Sequence, residues 1–142
     1  MEENKANLIF ELIDKFLHNK PILLIDDEEE IRSLMSNYLI KSQVDAKRII
    51  TASDGKEAIS KIQNQEFGLI IVDILMPRMN GLQLIKELKQ KKKYQNIPVL
   101  IISGSVDADN VKIAAAMGIT NIIVKPFSYN IFLEKISRTL CA

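Results

Sequence analysis

The residues of this chain that could do chemistry come directly after short apolar runs. Four runs end in this way, and the polar residues that follow them are Asp26, Asp27, Asp73, Ser103 and Lys125. Short, nearly continuous apolar runs are typical of parallel strands buried on both faces, and ligands bind outside the carboxyl ends of such strands. We therefore expect three carboxylates, one hydroxyl and one ammonium to converge at one edge of a sheet. Because three neighbouring carboxylates repel each other, this set predicts a site for a divalent cation.

The alternation of apolar patterns predicts the elements that position these residues. Strand-like runs cover residues 22–25, 48–52, 69–72, 98–102 and 121–124. Helical patterns or helix-start signals follow each run, at residues 28–41, 53–62, 81–88, 107–117 and 128–140. Strands that alternate with helices form βαβ units with right-handed crossovers. We therefore expect an α/β fold with a five-stranded parallel sheet.

Residues 1–20 precede the first strand and form a separate segment, ahead of a main domain at residues 21–142. Apolar side chains recur in this segment at helical spacing, namely Leu8, Ile9, Leu12, Ile13, Phe16 and Leu17. The pattern predicts an extra N-terminal amphipathic helix whose apolar face must be buried. Two interpretations fit it equally: packing against its own domain, or a homodimer or partner contact through this helix.

The composition argues against several classes of function. The 142 residues fit one domain, and a net charge of +1 gives no reason to expect nucleic acid binding by this chain alone. No apolar run approaches the ~20 residues needed to span a membrane, and the acidic N-terminus disfavours a secretory signal. The single cysteine, Cys141, fits a reducing compartment, so we expect a cytoplasmic location.

Several short motifs occur together and in a fixed order along residues 21 to about 140. They are Asp26-Asp27, Asp73 followed by Met76-Pro77 and Asn80-Gly81, Ser103-Gly104, and Lys125-Pro126-Phe127. Each motif alone has little specificity, but their combination at strand ends is highly specific. In this combination the chain resembles the receiver domain of two-component response regulators. The resemblance implies a flavodoxin-like, doubly wound sheet and a phosphoacceptor signalling switch.

The resemblance also implies a metal site for Mg²⁺. Asp27 and Asp73 would bind the ion with their carboxylates, the backbone carbonyl of Leu75 would complete the protein ligands, and Asp26 would act through a metal-bound water. Two carboxylates and a carbonyl suit Mg²⁺, which prefers oxygen ligands and keeps several waters. The run of acids that continues from Glu28 to Glu30 is interpreted as a solvated helix start, where the helix dipole favours negative charge.

The resemblance assigns the transfer itself to three residues. Asp73 would accept a phosphoryl group from a phosphohistidine on a sensor histidine kinase or phosphotransfer protein. Lys125 would pair with the Asp73 carboxylate and later with a phosphoryl oxygen, and Ser103 would donate its hydroxyl to the phosphoryl group. These roles make physical sense, because phosphoryl transfer needs positioning and charge stabilisation above all. The hydroxyl and its loop could then move and form the switch.

Two departures from the receiver pattern bear on the switch. Many receivers have an aromatic residue three positions before the lysine, but this chain has Ile122 there, so aromatic switching is not expected to carry over. Leu75 and Ser105 stand two positions after the acceptor and the hydroxyl residue, and neither is suited to orienting an attacking water. We therefore expect slow self-dephosphorylation.

A phosphorylation-driven switch acting on a downstream protein target is the favoured function, and no enzyme activity is expected beyond assistance to its own phosphorylation and dephosphorylation. The alternative is an adaptor that keeps the fold but does not need phosphorylation. A hydrolase with Asp73 as nucleophile is weaker, because Leu75 occupies the place of the second acid in the Asp-x-Asp pattern of such phosphatases. We expect no output domain after Leu140, so the chain is either a single-domain regulator or the receiver part of a longer protein.

Overall fold

The computed structural model describes residues 2–105 and 107–141, and a parallel sheet forms the centre of this part of the chain. Its five strands are β1 (Ile22–Ile25), β2 (Ile49–Ala52), β3 (Leu69–Asp73), β4 (Val99–Ser103) and β5 (Ile122–Val124). They lie in the order β2-β1-β3-β4-β5. This order is that of a flavodoxin-like, doubly wound sheet, in which the direction of winding reverses between β1 and β3. The predicted fold class is confirmed.

Helices cover both faces of the sheet. In the described residues they are α1 (Glu2–Leu17), α2 (Glu29–Lys41), α3 (Gly55–Asn64), α4 (Gly81–Lys89), α5 (Ala108–Ala116) and α6 (Tyr129–Cys141). Alternate residues of each strand face opposite layers, so that Leu24 packs with α1, α2 and α6, whereas Leu23 and Ile25 pack with α3, α4 and α5. Apolar residues on both faces explain why the strands read as unbroken apolar runs.

Side chains at the helix starts fix where the helices begin. Asp54 caps α3 by accepting a hydrogen bond from Glu57 N at 2.7 Å, and Asn80 caps α4 by accepting one from Gln83 N at 2.8 Å. The Glu57 carboxylate accepts hydrogen bonds from the N–H of Ser53 at 3.0 Å and from its hydroxyl at 2.8 Å. Hydrogen bonds from the backbone and hydroxyl of Ser53, with a contribution from Lys61, lower the pKa of Glu57 to about 2.

The amphipathic N-terminal helix packs against its own domain. Ile9, Ile13 and Leu17 are at most 1% exposed and belong to the same apolar cluster as α6. Polar contacts fix the helix further, including an ion pair between Asp14 and Arg48 at 3.2 Å. Leu8 stays 50% exposed and borders a surface pocket that it shares with Leu133 and Glu134 of α6. Of the two interpretations left open by the sequence, packing on the domain therefore accounts for the buried stripe.

The structure differs from the sequence-based boundaries in small ways. The second strand begins at Ile49 rather than at Arg48, because Ala46–Arg48 forms a 3-10 turn that Asp45 caps through Lys47 N at 2.9 Å. The third and fourth strands extend by one residue and include Asp73 and Ser103. No helix of the described residues has the length and apolar character needed to cross a membrane.

Candidate functional site

The register of the sheet brings the predicted polar residues to one edge. Ile25 pairs with Val72 across β1 and β3, so Asp26 and Asp73 follow side by side. Ser103 pairs with Val124 across β4 and β5, so Lys125 comes immediately after this pair. This edge lies outside the carboxyl ends of the strands, next to the reversal of winding, where open parallel sheets bind ligands.

An ammonium joins two buried carboxylates at the centre of the site. Lys125 Nζ lies 2.8 Å from Asp26 Oδ2 and 3.1 Å from Asp73 Oδ2. Asp26 is 0% exposed and Asp73 is 3% exposed, so both carboxylates are largely removed from water. The structure therefore brings together Asp26, Asp73 and Lys125, as the sequence predicts.

Burial and the ion pairs change the acidity of all three groups. Burial raises the pKa of Asp26 and of Asp73, and the neighbouring Lys125 ammonium opposes this rise. Burial alone would lower the pKa of Lys125, but the contacts with Asp26 and Asp73 outweigh it, and the pKa is raised overall. Lys125 thus stays charged near neutral pH. Because it is the shared partner of two carboxylates, the site retains excess negative charge that attracts cations.

The loop between β3 and α4 folds back tightly onto the end of β3. The N–H of Leu75 donates to Asp73 Oδ1 at 3.2 Å, and the N–H of Gly81 donates to the carbonyl of Ile74 at 2.8 Å. A Cβ atom at Gly81 would lie only 2.3 Å from the carbonyl oxygen of Asp73. A residue without a side chain is therefore required where the loop meets the strand, which gives the Asn80-Gly81 motif a structural reason.

Ser103 and Gly104 form the opposite wall of the site. Ser103 is 1% exposed, its hydroxyl donates to the carbonyl of Ser105, and the N–H of Ser105 approaches the same hydroxyl oxygen at 3.3 Å. The hydroxyl is thus engaged within its own loop. A Cβ atom at Gly104 would meet no atom within 4 Å, so the space beside the loop is open.

The predicted metal ligands are only partly gathered into one group. Among the described residues, carboxylate oxygens of Asp26, Asp27 and Glu28 lie within 4.8 Å of one another, and Asp73 is not part of this group. Leu75 lies in the loop with a side chain that is 59% exposed. The role of its carbonyl and the roles of the other ligands therefore remain predictions.

The sequence interpretation missed two residues that contact the site. Arg32, on the first turns of α2, donates from Nη1 to the carbonyl of Asp26 at 2.7 Å and so fixes the backbone there. Glu28 lies with Oε1 3.7 Å from Lys125 Nζ. Both come within six residues of Asp26, so their proximity in the chain was the signal available. Glu28 was interpreted together with its acidic neighbours, because runs of acids are common at solvated helix starts.

Aromatic packing connects the lysine loop to the helices behind it. Phe127, two residues after Lys125, stacks on Phe132 of α6 with ring centroids 5.7 Å apart and packs edge-on against Tyr38 of α2 at 6.2 Å. In addition, the N–H of Lys125 donates to the carbonyl of Ser103 at 2.8 Å. The lysine is therefore held between the hydroxyl loop and a packed aromatic cluster.

Comparison with known proteins places this geometry in a family. The family model described as "Response regulator receiver domain" matches residues 22–137. Among curated proteins, the chain is 34% identical over 110 residues to the alkaline phosphatase synthesis transcriptional regulatory protein PhoP of Bacillus subtilis. That match covers 78% of this chain but only 44% of the relative. The chain is also 32% identical to a chemotaxis protein CheY homolog of Campylobacter jejuni, over 84% of this chain and 91% of that protein.

Solved structures agree with this result. Chemotaxis response regulator CheY4 of Vibrio cholerae superimposes with a TM-score of 0.76 at 30% identity, covering 84% of this chain and 98% of that one. Response regulator TrrA of Thermotoga maritima, solved in complex with Mg(2+)-BeF, gives a TM-score of 0.72 at 29% identity, with 84% and 98% covered. Helix α1 lies before the range that the family model matches. The chain therefore belongs to the response regulator receiver domain family, whose members are signalling switches of two-component systems.

Proposed function

We propose that Asp73 is the phosphoacceptor of this receiver domain and that its phosphoryl donor is a phosphohistidine on a sensor histidine kinase or phosphotransfer protein. The observation that carries the proposal is the Lys125 ammonium, which lies 2.8 Å from Asp26 and 3.1 Å from Asp73 at the carboxyl edge of the sheet. A buried carboxylate paired with a fixed ammonium is well suited to accept a phosphoryl group, because the ammonium can stabilise charge on the transferred oxygens.

The residues present fit the Mg²⁺ ion that the family implies. Asp26 is 0% exposed, its Oδ1 accepts a hydrogen bond from the N–H of Glu28 at 2.8 Å, and its Oδ2 lies 2.8 Å from the Lys125 ammonium. Because a carboxylate has about four lone-pair sites, this group can still orient a metal-bound water. Asp27 offers an exposed carboxylate beside it, and Asp73 and the Leu75 carbonyl follow on the neighbouring strand end. When bound, Mg²⁺ supplies positive charge that neutralises the acceptor and the phosphoryl oxygens.

The chemical step forms one bond and breaks another. An oxygen of Asp73 forms a bond to phosphorus while the P–N bond of the donor phosphohistidine breaks, and the histidine nitrogen keeps the electron pair. Lys125 shifts from pairing with the Asp73 carboxylate to pairing with a phosphoryl oxygen. Ser103 leaves the carbonyl of Ser105 and donates its hydroxyl to the phosphoryl group. Because the Ser103 carbonyl accepts from Lys125 N, this change is transmitted between the two loops.

The surface next to these loops offers a place for a downstream protein target. Val124 directly precedes Lys125 and is 45% exposed, and Ile131 at the start of α6 is 43% exposed. Exposed apolar side chains beside a moving loop can form or lose a protein contact. Because Ile122 stands where many receivers have an aromatic residue, the rearrangement would be carried by the Ser103 loop rather than by a rotating ring.

Two finer predictions accompany the proposal. Leu75 and Ser105 offer no carboxylate or amide to orient water at Asp73, so the phosphoryl group should persist for minutes or longer, and a lifetime of seconds in Mg²⁺ would contradict this. A homodimer through α1 would have to use its exposed apolar side chains, such as Leu8, because Ile9, Ile13 and Leu17 are buried in the domain. Sedimentation of wild type and Leu8→Glu at equal concentration tests such contact, and identical monomeric masses would exclude it.

The test of the acceptor is incubation with acetyl phosphate and Mg²⁺, followed by intact mass measurement. Wild type should gain the mass of one phosphoryl group only when Mg²⁺ is present, and Asp73→Asn should gain none. Asp109→Asn is the matched control, because it makes the same chemical change at an exposed aspartate on α5. Folded wild type that gains no mass would favour the phosphorylation-independent adaptor instead.

A further inference from the structure

We propose that a cleft at the amino-terminal edge of the sheet binds a small organic anion through the ammonium of Lys89. The ligand class is a molecule with one carboxylate or phosphate group on a short apolar body. The inference goes beyond the proposed function and does not depend on it, because the residues involved lie at the opposite edge of the sheet from Asp73 and Lys125.

The cleft lies where four segments of the chain meet. Residues 95–99 lead into β4, and residues 118–121 lead into β5. Lys89 is the last residue of α4, and Thr139 lies in the last turn of α6. The cleft has a volume of about 330 Å³. Small-molecule sites span about 300–1,000 Å³, so this cleft has room for a small metabolite but not for a large cofactor.

The charge of the cleft is positive. Among the described residues that line it, Lys89 is the only charged one, and there is no aspartate or glutamate. The surrounding sequence has the same character, because no acidic residue occurs between Glu87 and Asp107, whereas residues 91–93 are three exposed lysines. A surface with one sign of charge attracts ions of the opposite sign and raises their local concentration. The cleft therefore favours an anion.

The ammonium of Lys89 has no counter-charge. Nζ donates to the carbonyl of Gln95 at 2.9 Å, and it forms no ion pair with any residue that the structure describes. The lysine is half-buried, and this burial lowers its pKa without a contribution from a neighbouring charge. An ammonium has three N–H donors, so two remain for a ligand. A bound anion would supply the charge that a partly buried cation lacks.

Polar side chains beside the lysine can complete the recognition of an oxygen ligand. Thr120 and Asn121 line the cleft from the turn before β5, and Asn96 lines it from the loop before β4. None of these three side chains forms a hydrogen bond with another described residue. One hydroxyl and two amide groups therefore remain available as donors.

The rest of the lining explains why the ligand should carry an apolar body. Val99 and Ile119 also line the cleft and are only 7% and 4% exposed. Small-molecule sites typically combine such apolar contacts with a few polar groups that fix the orientation of the ligand. No aromatic ring occurs among the described lining residues, so a nucleic acid base would find nothing to stack on. A short aliphatic chain fits this lining better.

The experiment is a titration of the full chain, labelled with ¹⁵N and free of Mg²⁺, followed by NMR. The probes are sodium butyrate and inorganic phosphate, each at constant ionic strength. Wild type, Lys89→Met, Thr120→Val and Lys86→Met are compared. Lys86→Met is the matched control, because it makes the same change at an exposed lysine of the same helix that does not line the cleft.

The backbone N–H signals of Asn96, Thr120 and Asn121 should shift saturably in wild type. Lys89→Met should weaken binding at least about fivefold because it removes the charge in contact, and Thr120→Val should weaken it about two- to threefold because it removes one donor. Lys86→Met should weaken it less than about twofold, because a more distant exposed charge is screened. A saturating anion should also raise the pKa of Lys89, followed through the ¹³C signals of its side chain.

Three results would overturn the inference. The first is that neither probe gives saturable shifts in wild type, and the second is that all variants bind like wild type or lose affinity equally. The third is that the shifts centre on Lys20, Lys93 and Tyr94, which line a separate cleft. Tighter binding of butyrate would identify a carboxylate ligand, and tighter binding of phosphate would identify a phosphate ligand. If Lys89→Met does not fold, Thr120→Val alone decides, since it changes an exposed side chain and keeps its shape.

Discussion

Replacing Lys125 with methionine tests whether the site is an arrangement of buried charge. The substitution keeps an unbranched side chain of similar length but removes the ammonium that lies 2.8 Å from Asp26 and 3.1 Å from Asp73. The lysine side chain is only 13% exposed, and the two carboxylates are 0% and 4% exposed. Removing one partner of a buried ion pair leaves uncompensated charge and costs about 3–5 kcal/mol. We expect a loss near the lower end, about 3 kcal/mol at neutral pH, because protonation or a bound cation can relieve part of the repulsion.

The pH dependence of this loss has a definite sign. Burial already raises the pKa of Asp26 and Asp73, and loss of the ammonium raises them further. A carboxyl group whose pKa is higher in the folded than in the unfolded protein binds more protons when folded, so its contribution to stability falls as pH rises through that pKa. The difference between wild type and Lys125→Met should therefore be largest at neutral pH. It should shrink as the pH is lowered through the raised pKa values of the two carboxyl groups.

Urea unfolding followed by circular dichroism measures the free energy of unfolding at neutral and mildly acidic pH, with and without Mg²⁺. Lys112→Met is the control, since Lys112 is exposed on α5 and its loss should change stability by less than about 0.5 kcal/mol. Added Mg²⁺ should stabilise Lys125→Met more than wild type, because the cation replaces the missing positive charge. A loss below about 1 kcal/mol that does not vary with pH would refute the view that these charges are desolvated.

Three further predictions concern stability. Ile13→Ala should lower the free energy of unfolding in urea by about 3 kcal/mol, because Ile13 is 0% exposed. Leu8→Ala, at a 50% exposed position, should lower it by less than about 1 kcal/mol. Equal effects would mean that α1 is not packed against the domain. Gly81→Ala should lower the free energy of unfolding by about 2–3 kcal/mol and slow phosphorylation, because its Cβ would lie 2.3 Å from a backbone oxygen. The Cβ of Gly104→Ala would meet no atom within 4 Å, so this variant should leave the free energy of unfolding unchanged. The pKa of Glu57 is lowered to about 2. The resulting stability is present above the unfolded pKa of about 4.5 and is lost as the pH falls toward 2. Glu57→Gln should therefore cost about 1 kcal/mol at pH 6 and much less at pH 3, after allowance for a side chain that is 40% exposed. An equal cost at both pH values would contradict this origin of the stability.

The apolar runs were enough to predict the sheet and the convergence of the polar residues. Short apolar runs that alternate with helical patterns are typical of parallel strands buried on both faces, and parallel strands place their carboxyl ends together. The exact ends were less certain, because Asp73 and Ser103 continue the ladder opposite Ile102 and Val124. Polarity alone does not show whether a residue ends a strand or pairs once more at its edge.

Contacts between distant segments could not be read from local patterns. Glu28 looks like its neighbours Glu29 and Glu30 in the sequence, and only the position of Lys125, from another strand end, distinguishes it. The stripe of α1 likewise required burial, but a stripe does not specify what covers it. The helix that covers it is α6. The buried face of α6 is recognisable as apolar in the sequence, but this pattern does not identify which helix packs against it.

From the difference in packing between α5 and α6 we infer where a signal from the proposed site would leave the domain. Helix α6 buries five residues and is braced by α1, whereas only Ala114 is buried in α5. Elements with few buried apolar contacts change conformation at the lowest cost. The Ser103 loop leads into α5, so under the proposed function a movement of the hydroxyl toward a phosphorylated Asp73 would act first on the less firmly packed helix. Val111 and Ile113 on α5 are 37% and 49% exposed. We therefore expect a change in their presentation to alter the contact with a protein target, together with Val124 and Ile131 beside the lysine loop.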